Sequence, residues 1–336
     1  MSSDGRPGLD ALDRRIVAAL QVDGRAPWRK IALALGEQER TVARRGAHLL
    51  AAGRVVITGT PARSRIVGAE PVILAARCLP MTVKAAAAAL AHRPEVVFTY
   101  VTTGVADCVA ELMCPPDRLS TLLLDELPGT PGLQQLLTYP ITRYYSTVHD
   151  WRPGILSDAE IAALSDDGPQ RSIDLAEEPA RLDSASRTIV RALIEDGRRT
   201  NEELGRLAGV SEATARRKVD FLRKEGLLYF RAVVEPALLG LPVEALCWIR
   251  AAPDSVDRVG EELVESPLVR YAAAVAGPHQ LLVDVTLPNR AALHEFTSSR
   301  SWGPSVQSIE ASLVIHPLKR SSVMSGPEAR TDLDQV

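Results

Sequence analysis

LDSASRTIVRALIEDGRRTNEELGRLAGVSEATARRKVDFLRKEG, residues 182–226, decides the fold because the chain contains it twice. Residues 9–53 read LDALDRRIVAALQVDGRAPWRKIALALGEQERTVARRGAHLLAAG and align on it without a gap at an offset of 173, with roughly a third of the positions identical. Ile16 and Val17 match Ile189 and Val190, and Asp23-Gly24-Arg25 matches Asp196-Gly197-Arg198. Gly36, Thr41, Arg44 and Gly53 match Gly209, Thr214, Arg217 and Gly226. Solenoid repeats have periods of about 20–50 residues, so this one is a duplicated domain pair. Symmetry that a second subunit ordinarily supplies is then built into one molecule.

Within each copy the apolar residues follow helical spacing. Over 9–22 they fall at Leu9, Leu12, Ile16, Ala19 and Leu20, one buried stripe. Asp23-Gly24 ends that helix, Pro27 opens a second over 27–35, and a third covers 39–51 before Gly53. Copy two gives helices over 182–195, 201–208 and 212–224. Ser211 stands at the N-cap of its third helix, where a hydroxyl is worth about 1 kcal/mol over Ala. Copy one has Gln38 there, and its helix-internal Gly46 costs up to about 1 kcal/mol relative to Ala. The first copy's third helix is therefore expected to be the weaker. Residues 54–58, RVVIT, are β-branched and extended and are expected to form a wing strand.

Each three-helix unit is followed by about 85 residues of another kind. Strands are expected at 72–79, 96–102, 107–114 and 133–145, with helices at 82–91 and 117–127. After copy two they recur at 243–250, 268–275, 280–287 and 306–316, with helices at 255–265 and 290–299. Both orders are β-α-β-β-α-β, the split βαβ pattern of ferredoxin-like domains. Helices cover one sheet face, and the bare apolar face needs a partner that the other copy supplies. The expected fold is α+β, an intrachain pseudo-dimer. It holds winged helix-turn-helix domains at 9–60 and 182–232 and ferredoxin-like domains at 66–148 and 240–320. A linker over 149–181 and a disordered tail over 321–336 complete the chain. The linker is rich in Pro, Asp, Glu and Ser, with one short capped helix beginning near Ser157.

Composition is that of a globular protein, with 46% hydrophobic and 24% charged residues among 336. Aromatics are 4%, so the cores must rest on Ala, Leu, Val and Ile. No apolar run reaches the ~18–20 residues of a membrane span, and no signal peptide is read at the N-terminus. The four cysteines (Cys78, Cys108, Cys114 and Cys247) lie in expected strands without a Cys-x-x-Cys pair, as buried apolar residues of a cytoplasmic protein do. The net charge of −3 hides local asymmetry: residues 9–54 hold nine Lys/Arg against five Asp/Glu.

Two constellations carry chemistry. In each copy two short helices meet at a glycine turn and the second is rich in cations, the plan of a DNA-binding helix-turn-helix. The candidate contacts are Arg40, Thr41, Arg44 and Arg45 in copy one. In copy two they are Ser211, Glu212, Thr214, Arg216, Arg217 and Lys218. Arg and Lys neutralise phosphates, Arg binds guanine bidentately, and hydroxyls contact either. The alternative, a solvated basic helix face, is weakened by the matched Gly, Thr and Arg of the two copies. The second constellation is the glycine turn between the middle strands of each ferredoxin-like domain. Thr103, Gly104 and Asp107 in one, and Gly277, His279 and Gln280 in the other, are either an effector site or plain hairpin turns.

The sequence resembles the Lrp/AsnC family of prokaryotic transcription regulators, duplicated and fused. The resemblance covers about 9–148 and 182–320 and is carried by LDALDRRIVAALQVDGR, LDSASRTIVRALIEDGR and SEATARRKVDFLRKEGLL, with QERTVARRGAHLLAAGRV a looser match. It implies double-stranded DNA as a partner and effector-domain sheets packed face to face. It also implies an amino acid or related small molecule near that interface, and further homo-oligomers. By position the family's glycine-then-aspartate turn maps to Gly104 and Asp107. The aromatic that usually follows is Cys108, and copy two has Gln280 in place of the acid. No cofactor and no enzymatic activity are expected. The alternatives are a siroheme-decarboxylase-like enzyme, for which His279 is the one histidine in a cleft-facing turn, and a ligand sensor with vestigial DNA-binding domains.

Overall fold

The computed structural model describes residues 8–165, 179–298 and 305–325. Copy one supplies α1 (Ala11–Val22), α2 (Trp28–Leu35), α3 (Glu39–Ala51) and β1 (Val55–Pro61). The first ferredoxin-like domain follows as α4 (Arg63–Val67), β2 (Glu70–Cys78), α5 (Val83–Ala91), β3 (Val96–Thr102), β4 (Cys108–Cys114), α6 (Pro116–Thr121) and β5 (Leu133–Ser146). After α7 (Asp158–Leu164), copy two supplies α8 (Ser184–Glu195), α9 (Asn201–Ala208), α10 (Glu212–Lys224) and β6 (Leu228–Val234). The second domain is β7 (Val243–Ala251), α11 (Val256–Val264), β8 (Val269–Val275), β9 (Leu281–Leu287), α12 (Arg290–Ser298), β10 (Val306–Arg320) and β11 (Val323–Met324).

These elements form two compact units, one holding both helix-turn-helix copies and the other both ferredoxin-like domains. In the first unit, the strand expected as a wing pairs with the same strand of the other copy. β1 and β6 run antiparallel, with Val55 opposite Val234 and Pro61 opposite Leu228. Thr58 lies opposite Arg231, its own repeat mate, which marks the local pseudo-twofold. Ala232 and Val234 of β6 join Ile16, Leu20, Ile31, Val42 and Leu49 in one core, so each copy's strand is part of a shared structure.

The linker expectation is corrected over its described part. Residues 149–165 pack onto copy one: Trp151 and Leu164 are buried in its core. Ser157 and Glu160 form the capping box that starts α7, and the Glu160 carboxylate also accepts from Arg15 at 2.6 Å. Lys30 Nζ donates to the Leu164 carbonyl at 2.7 Å. Residues 166–178 lie outside the described residues. The tail expectation is corrected likewise at its start. β10 runs to Arg320, Ser321 and Ser322 turn with positive φ, and β11 pairs back on β10. Residues 326–336 lie outside the described residues.

In the second unit each domain has the strand order expected of its topology, β5-β2-β4-β3 and β10-β7-β9-β8. The last strand of each is long enough to serve both. β5 pairs with β2 through Leu133–Pro140 and then with β8 through Ile141–Ser146. β10 pairs with β7 through Val306–Leu313 and then with β3 from Val314. The two sheets therefore close on each other. Ile73, Phe98, Tyr100, Val109, Ile141, Leu246, Trp248, Tyr271 and Leu282 fill the space between them. The opposite faces bury Ala87 and Leu90 of α5 on one domain and Val259 and Leu263 of α11 on the other. All four cysteines are buried free thiols, and burial pushes Cys247 up to about 12.

Candidate nucleic-acid interface

α3 and α10 each turn one face inward: Val42, Gly46 and Leu49 in the first, Ala215, Val219 and Leu222 in the second. Arg40, Arg44, Arg216 and Arg217 are consequently exposed, while Thr41 and Thr214 are half-buried beside them. Ser211 caps α10 as expected, its Oγ accepting from Thr214 N at 3.2 Å, and Gln38 makes no side-chain cap on α3. Arg217 Nη2 donates to Thr214 Oγ1 at 3.2 Å, which aims the guanidinium along the start of the helix. Ser211 and Glu212 are exposed at that same end.

Arg45 and Lys218 differ from these side chains in that each bonds to the first helix of its own copy. Arg45 Nη1 lies 2.5 Å from Asp10 and 2.9 Å from Asp13. Its repeat mate Lys218 lies 2.6 Å from Asp183 and 3.2 Å from Ser186 Oγ. Asp10 and Asp183 are the N-caps of α1 and α8. The third cation of each run thus ties the last helix of its copy to the first. The bond from Lys218 helps hold the Asp183 carboxyl well below the usual carboxylate range.

Gly46 has a packing reason. The Trp28 ring lies so close that a Cβ at Gly46 would be 2.4 Å from it. Copy two has Asn201 and Val219 at the same two places, a small residue where copy one is large and a larger one where it is small.

The Asp-Gly-Arg triplets, read in the sequence only as marks of the repeat, join the copies. Arg25 Nη1 donates to the Gly197 carbonyl at 2.7 Å, and Arg198 Nη1 donates to the Gly24 carbonyl at 2.9 Å. Each aspartate accepts from its own arginine amide at 2.8 Å, closing the turn that presents the carbonyl. Each glycine lies against Ile57, where a Cβ would come within 2.9 Å at Gly24 and 3.0 Å at Gly197. Presence in both copies was the one signal available beforehand.

The turn residues of the ferredoxin-like domains are all bonded within the fold. Thr103 Oγ1 accepts from Leu313 N at 2.9 Å, and Gly104 has φ +82° with its carbonyl accepting from Arg77 at 2.8 Å. Asp107 accepts from Cys78 N at 2.9 Å, and Gln280 accepts from the matching Ala251 N at 3.2 Å. The amide does the acid's structural work, so losing the charge leaves the second turn intact. Gly277 makes room for the Tyr139 ring, and His279 packs near Trp248 with Nε2 3.3 Å from Glu310.

A profile of the AsnC-type helix-turn-helix domain matches residues 9–50 and 182–223, and one of the Lrp/AsnC ligand binding domain matches 244–324. An HTH-type transcriptional regulator of Pyrococcus horikoshii is 36% identical over 34% of this chain and 73% of its own length. The chain belongs to the Lrp/AsnC family. A leucine-responsive regulatory protein of Rhizobium meliloti is 30% identical over 34% of this chain and 76% of that protein. Over the full length, the crystal structure of the siroheme decarboxylase NirDL superposes with a TM-score of 0.61 at 14% identity, covering 94% of this chain and 95% of that one. That likeness is one of fold. No helix among the described residues is long and apolar enough to cross a membrane.

Polar side chains are also buried between the two sheets of the Lrp/AsnC pair. Glu244 lies 3.0 Å from Arg270 and 2.5 Å from Arg320. Asp284 lies 3.4 Å from Arg270, and burial raises its carboxyl far above the carboxylate range. Its repeat mate Glu111 accepts from Tyr144 Oη at 2.7 Å, and burial pushes it up to about 7.

Proposed function

We propose that this chain is a sequence-specific DNA-binding regulator in which both repeats read one duplex, with a small molecule acting on the ferredoxin-like unit and no catalysis of its own. The observation that carries this reading is the sorting of cations along α3 and α10. The third cation of each run is neutralised internally, while Arg40, Arg44, Arg216 and Arg217 stay exposed near the helix start. That end of a helix-turn-helix meets base edges and phosphates. The two copies present different residues, Arg40 and Ala43 against Ala213 and Arg216, so the operator is asymmetric. Half-sites lie about one helical turn apart or a multiple of it.

The test is a binding titration at fixed salt on a selected operator. Arg217→Ala is expected to cost about 1–3 kcal/mol, the range for a bidentate base contact. Arg44→Ala, on the uncapped helix, is expected to cost less. Equal losses contradict the ordering of the copies, and salt-insensitive association overturns the DNA reading. An effector reaching either glycine turn has to exchange the bonds that Asp107 and Gln280 now make. Further homo-oligomers would form through faces other than the sheet edges that β5 and β10 close.

The decarboxylase reading is supported by the whole-chain likeness in fold. Against it, Phe98, Tyr100, Trp248 and Tyr271 occupy the space between the sheets, and His279 is engaged by Glu310. A porphyrin absorbance band retained by the purified protein would favour that enzyme instead.

A further inference from the structure

The unit that holds both helix-turn-helix copies contains one feature that serves neither copy alone. Arg25 reaches the Gly197 carbonyl and Arg198 reaches the Gly24 carbonyl, a reciprocal pair about the axis marked by Thr58 and Arg231. Each guanidinium also lies over an aromatic ring of the opposite copy. Arg25 is 5.1 Å from the centre of Phe230, and Arg198 is 4.5 Å from the centre of Trp28. Arg223 of α10 takes the same Phe230 ring at 5.7 Å and lies 3.4 Å from Asp23, which connects the crossing to a recognition helix. A planar fork that donates to a carbonyl while stacking on a ring is held in two directions at once.

We propose that the two Asp-Gly-Arg turns act as a clasp that sets the separation and rotational phase of the two recognition helices, so that Arg25 and Arg198 decide which half-site spacing is accepted. They are positioning residues and touch no DNA. The proposal rests on the DNA-binding reading above and adds to it what fixes the distance between the readers. Were the copies free to move, either could find its half-site at many spacings. With the clasp closed, a spacing off by half a helical turn presents the second half-site on the far side of the duplex.

The experiment uses the full chain and duplexes carrying the two half-sites at successive spacings across a helical turn, with single-half-site duplexes beside them. The unmodified protein is expected to prefer its best spacing over one shifted by half a turn by roughly 100-fold, the gain from linking two contacts. Arg25→Ala combined with Arg198→Ala is expected to cut that preference to below roughly ten-fold, because a looser link spreads the effective concentration. Single-half-site affinity should stay unchanged. Arg25→Lys keeps the charge but not the fork and is expected to loosen the preference as alanine does. If the double variant does not fold by circular dichroism, the lysine variant alone decides. Unchanged spacing selectivity overturns the clasp. So does full rescue by lysine together with a lower single-site affinity in the alanine variant, which marks a phosphate contact. An unmodified chain that binds no duplex at any spacing overturns the regulator reading, and the clasp's role with it.

Discussion

Copy one packs Trp28 of α2 against Gly46 of α3, and copy two has Asn201 and Val219 at the matching positions. The exchange of volume is reciprocal, as close-packed interiors require. A second pair diverges in the same way in the other unit. Glu111 and Asp284 are repeat mates buried between the sheets, but Glu111 is bonded by a tyrosine hydroxyl and Asp284 sits among Arg270, Arg320 and Glu244. Duplication inside one chain freed the halves to differ, since a residue on one side no longer had to serve on both. What was kept is the geometry that joins them: the β1–β6 ribbon, the paired arginines, and the strands that cross between the sheets.

Three sets of substitutions break or sharpen this comparison. The largest effect is expected at Glu111. Its folded carboxyl holds its proton up to about 7 and the unfolded one only to about 4.5, so unfolding releases a proton between those values. Stability from this group is fully present below pH 4.5, falls as pH rises through 7 and is level above, a change of about 3 kcal/mol. Glu111→Gln is expected to remove that slope in urea titrations run from pH 4.5 to 8. An unaltered slope assigns the pH dependence elsewhere, with Asp284 the first place to look.

Gly46→Val brings copy two's residue into copy one against the Trp28 ring and is expected to cost about 2 kcal/mol through overpacking. Adding Trp28→Asn completes the exchange and should recover most of the loss in thermal unfolding. If the double variant is as unstable as the single one, the two positions are not a compensating pair. The smallest effect is at the caps. Ser211→Ala should cost about 1 kcal/mol, whereas Gln38→Ser in copy one should add several tenths of a kcal/mol. Equal and negligible changes would mean that the cap does not distinguish the two helices.

Element order was almost wholly legible. α3 spans 39–51 and α10 spans 212–224 as their spacing indicates, and the four main strands of each ferredoxin-like domain fall within a few residues of where alternation and turns place them, while β11 lies in what reads as a tail. The exposed arginines of the recognition helices were legible too, because a helix with one apolar face must show the other. The bonds of Arg45 and Lys218 to the first helices were not, since helical periodicity says which side a cation occupies and nothing about an aspartate 35 residues away. The docked segment around Trp151 and Leu164 was hidden by its linker-like composition. Gly46 looked like a flaw in a helix until Trp28 was seen to fill the space.

The sequence by itself determined that the chain is a duplicated helix-turn-helix and β-α-β-β-α-β protein, because caps, turns and apolar spacing are local signals. Only the tertiary structure decided which strand pairs with which across the two halves, where β5 and β10 change partners, and that Arg25 and Arg198 hold the opposite copy. Backbone amides and carbonyls are chemically alike at every position. A hydrogen bond between residues 172 apart is therefore settled by the packing that brings them together, not by the residues around either one.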